Sequence, residues 1–268
     1  MSARLRPTSS LPVALTIAGS DSGGGAGIQA DLLTFAALGV FGTTAITCLT
    51  AQNPDGVSRV HEAPAEMVRK QMRQAGDFFA PRAAKTGMLF SRAIIREVAG
   101  FLGERKRRLK TVVDPVMVAT SGARLLREDA IAAMLQELIP LATLVTPNLD
   151  EAAVMLGERP SNRGEAVDAA DELARRFRVP FLLKGGHMAG AKVFDVLAVP
   201  KALPVALASR RIENVNTHGS GCTLSAAIAA HLARGATLEA AVAGGRAFLH
   251  KGLRRPLRVR GENYIAHR

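Results

Sequence analysis

Val13-Ala14-Leu15-Thr16-Ile17-Ala18-Gly19-Ser20-Asp21-Ser22-Gly23-Gly24-Gly25-Ala26-Gly27 is the stretch on which the fold turns. Residues 13–18 are apolar and rich in β-branched side chains, too short a run for a buried helix, and bounded by glycine, so they read as a buried strand. Residues 19–27 form a loop too glycine-dense for an ordinary connection, which predicts backbone in close approach to something. A helix follows through Leu38, with Gly39 as its C-terminal cap. Strand, loop and helix in that order are the first half of a βαβ unit.

The same alternation continues along the chain. Strands are predicted at 44–49, 83–88, 111–114, 142–145 and 181–183, and helices at 65–79, 94–106, 129–138, 149–156, 165–177, 223–234 and 238–252. Residues 193–199 and 207–215 alternate like an antiparallel edge pair. The fold class is therefore α/β, a mostly parallel central sheet covered by helices. No internal repeat, low-complexity linker or composition break divides the chain, so residues 13–268 are expected to form a single domain behind an N-terminal extension, 1–12.

Composition limits what the protein can be. Hydrophobic residues make up 48% of the 268, enough for a large core and too many for a disordered chain. The longest apolar runs fall far short of the roughly 20 residues of a membrane-spanning helix, and the N-terminus lacks the apolar stretch of a signal peptide. A cytoplasmic protein away from the membrane is expected. The two cysteines, Cys48 and Cys222, have no metal-site or disulfide spacing, which suits a reducing compartment. Net charge is +12, with a basic cluster at Lys251, Arg254, Arg255, Arg258 and Arg260. Trp is absent and Tyr occurs once, so the aromatic platforms of many nucleic-acid binders are scarce. The charge run reads as a solvated face, and no nucleic-acid partner is expected.

In parallel sheets ligands bind beyond the carboxyl ends of the strands, so the chemistry is sought in those loops. Asn216-Thr217-His218-Gly219-Ser220-Gly221-Cys222-Thr223 is a small-residue turn leading into a helix. It reads either as an anion site of backbone N–H groups and helix dipole, or as a tight turn with its cap. Cys222 falls in the first helical turn, where the dipole is expected to lower its pKa and suit it to take a proton from an attacking hydroxyl. A lone cysteine is otherwise a small buried hydrophobe. Asp31 and Gln52 are placed to reach a ligand above the sheet, or to stand as solvated polar residues. Asp114 and Glu151 lie at strand ends and are candidates to hold Mg²⁺, directly or through water. Asn148 is a phosphate contact or a helix cap, and Lys184 is placed to set a cation against phosphate oxygens. Gly25-Ala26-Gly27-Ile28-Gln29-Ala30 fits G-x-G-x-x-A, but the acidic ribose contact about twenty residues on is missing, and no P-loop pattern occurs.

Taken together, these segments resemble the ribokinase-like superfamily, and within it the hydroxymethylpyrimidine and phosphomethylpyrimidine kinases of thiamine biosynthesis. The likeness rests on Thr16-Ile17-Ala18-Gly19-Ser20-Asp21, 24–31, Thr50-Ala51-Gln52-Asn53, Lys85-Thr86-Gly87-Met88, Asp114-Pro115-Val116-Met117, 146–151, Lys184-Gly185-Gly186-His187 and 216–225. It implies a three-layer α/β/α sandwich and ATP with Mg²⁺. It implies a pyrimidine site lined by Gly19, Asp31, Gln52, Met88 and Val116, with Gln52 reading the ring edge. It also implies an anion hole of Gly219, Ser220, Gly221 and Cys222, ATP phosphates met by Lys184, Asn148 and Thr217, Mg²⁺ supported by Asp114 and Glu151, and a homodimer. Ser22-Gly23-Gly24 stands where many relatives have Pro-Ser-Gly, which is expected to loosen that loop. No thiamine-phosphate synthase domain is read behind the kinase, so a stand-alone enzyme is expected. A pyridoxal or pyridoxine kinase on the same scaffold is the nearest rival, and a dinucleotide-binding oxidoreductase a more distant one.

Overall fold

The computed structural model describes residues 10–117, 126–188 and 190–268. Most of the expected N-terminal extension therefore lies outside the described residues. The first unit is β1 (Val13–Asp21), α1 (Gly27–Ala37) and β2 (Phe41–Asn53), followed by β3 (Gly56–Glu62), α2 (Ala65–Phe79), β4 (Ala83–Thr86), α3 (Arg92–Arg105) and β5 (Lys110–Val113). The second half runs α4 (Glu128–Ala133), β6 (Leu144–Val145), α5 (Leu149–Leu156), α6 (Arg163–Phe177), β7 (Phe181–Leu183), β8 (Lys192–Ala198), β9 (Val205–Arg210), α7 (Ser220–Ala233) and α8 (Leu238–Arg254). A small ribbon, β10 (Leu257–Val259) with β11 (Glu262–Tyr264), ends the chain.

Among the described residues nine strands form one sheet in the order β3-β2-β1-β4-β5-β6-β7-β8-β9. From β2 to β7 all neighbours are parallel, and the two margins are antiparallel. The chain moves from β1 outward to β2, then returns to place β4 on the other side of β1. That reversal makes the carboxyl ends of β1 and β4 the switch point where a doubly wound sheet leaves a crevice.

Alternation along the strands feeds two cores. Leu15, Ile17, Ala84, Val113, Val145 and Phe181 face one layer of helices, α2 to α6, while Ala14, Ala83, Val112, Leu144 and Leu182 face α1, α7 and α8. Two buried faces explain why the central strands are apolar throughout. In α2 the buried residues are Val68, Met72, Ala75 and Gly76, one stripe at helical spacing. Gly76 permits a close helix crossing, because a Cβ there would stand 2.7 Å from the Phe101 ring of α3. Truncating Met72, which is wholly buried, is expected to cost about 2–5 kcal/mol through lost contact and a residual cavity.

The expected alternation is present, with corrections at the margins. The 44–49 strand is the middle of the longer β2, which folds back through Pro54-Asp55-Gly56 into β3, a strand not anticipated. The second edge strand is Val205–Arg210 rather than 207–215, and 129–138 starts as α4 and continues as a π-helical turn, Met134–Leu138. Of the basic C-terminal stretch, Lys251 and Arg254 lie in the last turn of α8 and Arg258 in the ribbon, and the chain end packs back: Ala266 N–H bonds to Gly252 O at 3.3 Å and Asn216 N–H to Asn263 O at 2.8 Å. Among the described residues no helix is long and apolar enough to cross a membrane.

Candidate active site

The glycine loop after β1 is organised by Asp21. Its Oδ1 accepts the Gly23 N–H at 2.8 Å, its Oδ2 accepts the Ala26 N–H at 2.8 Å, and its carbonyl accepts the Gly24 N–H at 3.0 Å. Burial opposes ionisation of Asp21, but hydrogen bonds from His218, Gly23 and Ala26 outweigh it and hold its pKa below the ordinary value. The glycines are needed where backbones meet. At Gly27, with φ +57°, a Cβ would stand 2.4 Å from Gly19 O, and at Gly19 one would stand 2.7 Å from Cys48 Sγ. Ser22 does not loosen this loop as expected. Its hydroxyl donates to Gln52 O at 2.7 Å and accepts the Gln52 N–H at 2.8 Å, pinning the backbone of Gln52 to the loop. Met88 and Val116 join Cys48 in a small apolar cluster beside Gly19.

The second loop, 216–219, lies directly against the first. Gly219 has φ +78°, and a Cβ there would fall 1.8 Å from Gly25 O. Asn216 Oδ1 accepts the His218 N–H at 2.9 Å, and Thr217 is exposed, its carbonyl taking the Ser220 N–H at 3.0 Å. The Ser220 donor is thus engaged within the turn. Helix α7 starts at Ser220 without a side-chain cap and without an acidic residue in its first turn, leaving the Gly221 and Cys222 N–H groups at a positive helix end. Lys184 Nζ is 3.2 Å from where a Gly221 Cβ would sit.

A charged cluster stands behind Gly221. Lys184 Nζ bonds to Asp114 Oδ1 at 2.9 Å, and Asp114 also accepts from Ser225 Oγ at 3.2 Å and Thr146 Oγ1 at 3.4 Å. Burial works against the Asp114 charge, yet Lys184 and Lys85 hold its pKa below the usual value. Glu151 differs: burial, joined by the neighbouring Asp114 charge and only partly relieved by Lys184, pushes its carboxyl up to about 7. Asn148 is the N-cap of α5, its Oδ1 accepting from Asp150 N and Glu151 N at 2.9 and 2.8 Å, while Glu151 Oε2 accepts the Asn148 N–H at 2.7 Å. The cap reading of Asn148 is thereby the observed one. Among the described residues no group of three or more His, Cys, Asp or Glu side chains could cage a metal. Two carboxylates of this kind fit Mg²⁺ instead, which keeps several waters and takes further oxygens from substrate phosphates.

At the floor lies a buried ion pair. Lys85 and Asp31 are both fully buried, Nζ standing 2.9 and 3.0 Å from the two carboxylate oxygens, and Thr16 Oγ1 donates to Asp31 Oδ2 at 2.5 Å. Burial alone would neutralise Lys85, but Asp31 reverses that and raises its pKa. Asp31 is therefore tied to Lys85 below the loop surface. The half-buried Cys222 lies beside the same pair. Burial pushes its pKa up, the Lys85 charge only partly opposing, which corrects the expectation that the helix dipole lowers it. A hollow of about 490 Å³ beside Val13, Phe79, Arg82 and Arg234 lies at the opposite, N-terminal ends of the strands, away from the glycine loop, the α7 turn and the Lys85–Asp31 pair.

Residues 21–267 match the family model described as phosphomethylpyrimidine kinase. The chain belongs to the phosphomethylpyrimidine kinase family. It is 49% identical over 242 residues, 90% of each chain, to the hydroxymethylpyrimidine/phosphomethylpyrimidine kinase of Rhizobium meliloti. It is 43% identical over 255 residues to a bifunctional thiamine-biosynthesis protein of Geobacter sulfurreducens, covering 94% of this chain and 51% of that one. Among solved structures, the ADP complex of Bacillus subtilis pyridoxal kinase superposes with a TM-score of 0.87 at 34% identity, covering 96% of this chain and 98% of that one. Phosphomethylpyrimidine kinase from Clostridium difficile superposes with 0.78 at 38%, covering 89% and 98%. As a member of this kinase family the chain is a phosphotransferase with the ribokinase-like fold.

Of the residues expected in this kinase site, the structure gathers Gly19, Met88 and Val116 at one apolar wall and Asp114, Glu151 and Lys184 at a charged one, with Gly221 and Cys222 between the charged wall and the Lys85–Asp31 pair. Sequence reasoning missed three positions that hold it together. Lys85 sits in a strand whose pattern, Ala-Ala-Lys-Thr, gives no sign that the lysine points inward. Asp21 carries a local signal, since an aspartate before glycines often ties their N–H groups. His218 has no signal in the sequence beyond its place in the turn.

Proposed function

We propose that this kinase transfers the γ-phosphoryl group of ATP first to 4-amino-5-hydroxymethyl-2-methylpyrimidine and then to the resulting monophosphate, in thiamine diphosphate biosynthesis. The observation that carries the reading is the position of Cys222. Its thiol lies where the Gly19–Gly27 loop, the first turn of α7 and the buried Lys85–Asp31 pair meet. In this reading Gly19, Asp31, Gln52, Met88 and Val116 form the pyrimidine site, Asp31 acting through Lys85. Gly219, Ser220, Gly221 and Cys222 shape the loop that receives the transferring phosphoryl group, and Lys184, Asn148 and Thr217 lie toward the ATP phosphates.

In-line transfer forms a bond from the acceptor oxygen to the γ-phosphorus and breaks the bridge to the β-phosphate, and it depends chiefly on positioning and charge neutralisation. A raised thiol pKa means that Cys222 is neutral at rest. It orients the hydroxymethyl group and takes its proton late, as the bond to phosphorus forms, with the Lys85 charge favouring the thiolate at that moment. The Gly221 and Cys222 N–H groups and Lys184 meet the charge on the equatorial oxygens. In the second transfer the acceptor is already an anion and has no hydroxyl proton to give up. Mg²⁺, supported by Asp114 and Glu151, would neutralise charge on the phosphates. The fuller reading takes residues 13–268 as one kinase domain working as a homodimer in the cytoplasm.

Phosphorus NMR of the enzyme with Mg·ATP and hydroxymethylpyrimidine tests the reading: a monophosphate that rises and gives way to a diphosphate supports it, and its absence refutes it. The second reading, a pyridoxal kinase, draws on the close superposition with the Bacillus subtilis pyridoxal kinase. It predicts turnover of pyridoxine instead.

A further inference from the structure

The proposed pyrimidine reader, Gln52, has its backbone clamped by Ser22, so only its side-chain rotation is free to vary. Two neighbours control that rotation. Thr50 Oγ1 lies 3.3 Å from Gln52 Oε1, and His218 Nε2 lies 3.3 Å from Gln52 Nε2. The same His218 nitrogen is 3.0 Å from Asp21 Oδ2, across 197 residues of sequence.

One ring nitrogen cannot satisfy both neighbours as they stand. A bare Nε2 would set its lone pair against a carboxylate that is 3% exposed, an unfavourable burial of charge against a dipole. The proton therefore belongs on Nε2, donated to Asp21, and the amide group that faces the ring must be an acceptor. Gln52 then turns its oxygen to His218 and its NH₂ to Thr50 Oγ1, whose own proton is already given to Ser20 O at 2.9 Å. Only in that arrangement does no acceptor face an acceptor and no donor a donor. The ring itself packs closely against the glycine loop, since a Gly25 Cβ would stand 2.9 Å from His218 Cδ2.

We propose that His218 is a specificity-determining positioning residue, fixing the order in which Gln52 presents its donor and acceptor to the edge of the acceptor ring. This inference rests on the pyrimidine reading of the site above. With His218 in place the amide has one orientation. Without its N–H the amide is free to flip, and a ring offering the reverse hydrogen-bonding edge is no longer penalised. His218 also ties Asp21 of the first loop to the second, so the ring reader and the anion loop keep one spacing.

The test uses the full chain with His218→Phe, which keeps a ring over Gly25 but has no N–H, and His218→Gln, which restores an N–H at similar reach. Each is made in the wild-type and Gln52→Ala backgrounds. The readout is the ratio of kcat/KM for hydroxymethylpyrimidine to that for pyridoxine. His218→Phe is expected to lower the ratio about tenfold, mainly through KM for the pyrimidine, the worth of about one net hydrogen bond. His218→Gln recovers most of it, and in the Gln52→Ala background His218→Phe changes the ratio no further. An unchanged ratio with equal kcat losses on both acceptors, or an undiminished effect without Gln52, overturns the assignment. Should thermal melts show that His218→Phe does not fold, His218→Ala is read by the same criteria. A wild type inert toward the pyrimidine overturns both this inference and the functional reading, whereas an active wild type with an unaltered ratio overturns the role of His218 alone.

Discussion

Gly24 and Gly219 form a natural matched pair. Both have left-handed backbones, φ +77° and +78°, but a Cβ at Gly24 meets nothing within 4 Å, whereas at Gly219 it falls 1.8 Å from Gly25 O and 2.8 Å from Gly25 C. Alanine at either site pays the left-handed strain of about 1–2 kcal/mol. In a chain of this size that lowers Tm by a few degrees. Only Gly219→Ala also forces the loops apart, by roughly 1.5 Å, to reach ordinary contact. The Gly25 loop is not free to yield, because Asp21 holds the N–H groups of Gly23, Gly24 and Ala26. The displacement therefore passes into the first turn of α7, and a shift of that size at reacting groups costs about 100-fold in rate. Urea melts with single-turnover kinetics measure both effects. The expectation is a stability loss greater for Gly219→Ala than for Gly24→Ala by about 1–3 kcal/mol of overpacking, and a kcat loss of about 100-fold confined to Gly219→Ala. Comparable kcat losses at both positions, or a Gly219→Ala enzyme within threefold of wild type, would refute the reasoning.

Cys222→Ala is expected to slow the first phosphorylation by about 100-fold or more and the second by less than tenfold, because only the first acceptor has a hydroxyl proton to lose; equal losses in rapid-quench experiments on the two acceptors contradict this. Glu151, held at about 7 by burial, binds its proton more tightly folded than unfolded, so the stability it contributes is present at pH 4 and lost as pH rises through 7. Glu151→Gln should therefore raise the Tm of the ligand-free protein by several degrees at pH 8 and hardly at all at pH 4. Calorimetry showing equal shifts at the two pH values counts against that account.

The parts legible in the sequence were those whose signal is local and periodic. Residues 13–18 could be recognised as a strand because both faces of β1 are buried, which leaves an unbroken apolar run, and the glycines of 19–27 announced a close backbone approach that Gly27 and Gly19 realise. Strand β3 was hidden because Gly-Val-Ser-Arg-Val-His-Glu lies at the sheet margin with only partial burial, so its apolar content is low. The C-terminal ribbon was masked by its arginines, which point to solvent while the backbone pairs. The Cys222 thiol was misjudged because its position in a helix is visible in sequence and its burial is not. Lys85 and His218 act over 54 and 197–166 residues of separation, from Lys85 to Asp31 and from His218 to Asp21 and Gln52, and no local pattern reports such contacts.

The most direct test of the central claim is a coupled ADP-release assay with Mg·ATP, offering hydroxymethylpyrimidine, its monophosphate, pyridoxine and ribose in parallel. The account predicts turnover of both pyrimidines, with weaker turnover of pyridoxine and none of ribose. Turnover confined to pyridoxine, or to ribose, would contradict it.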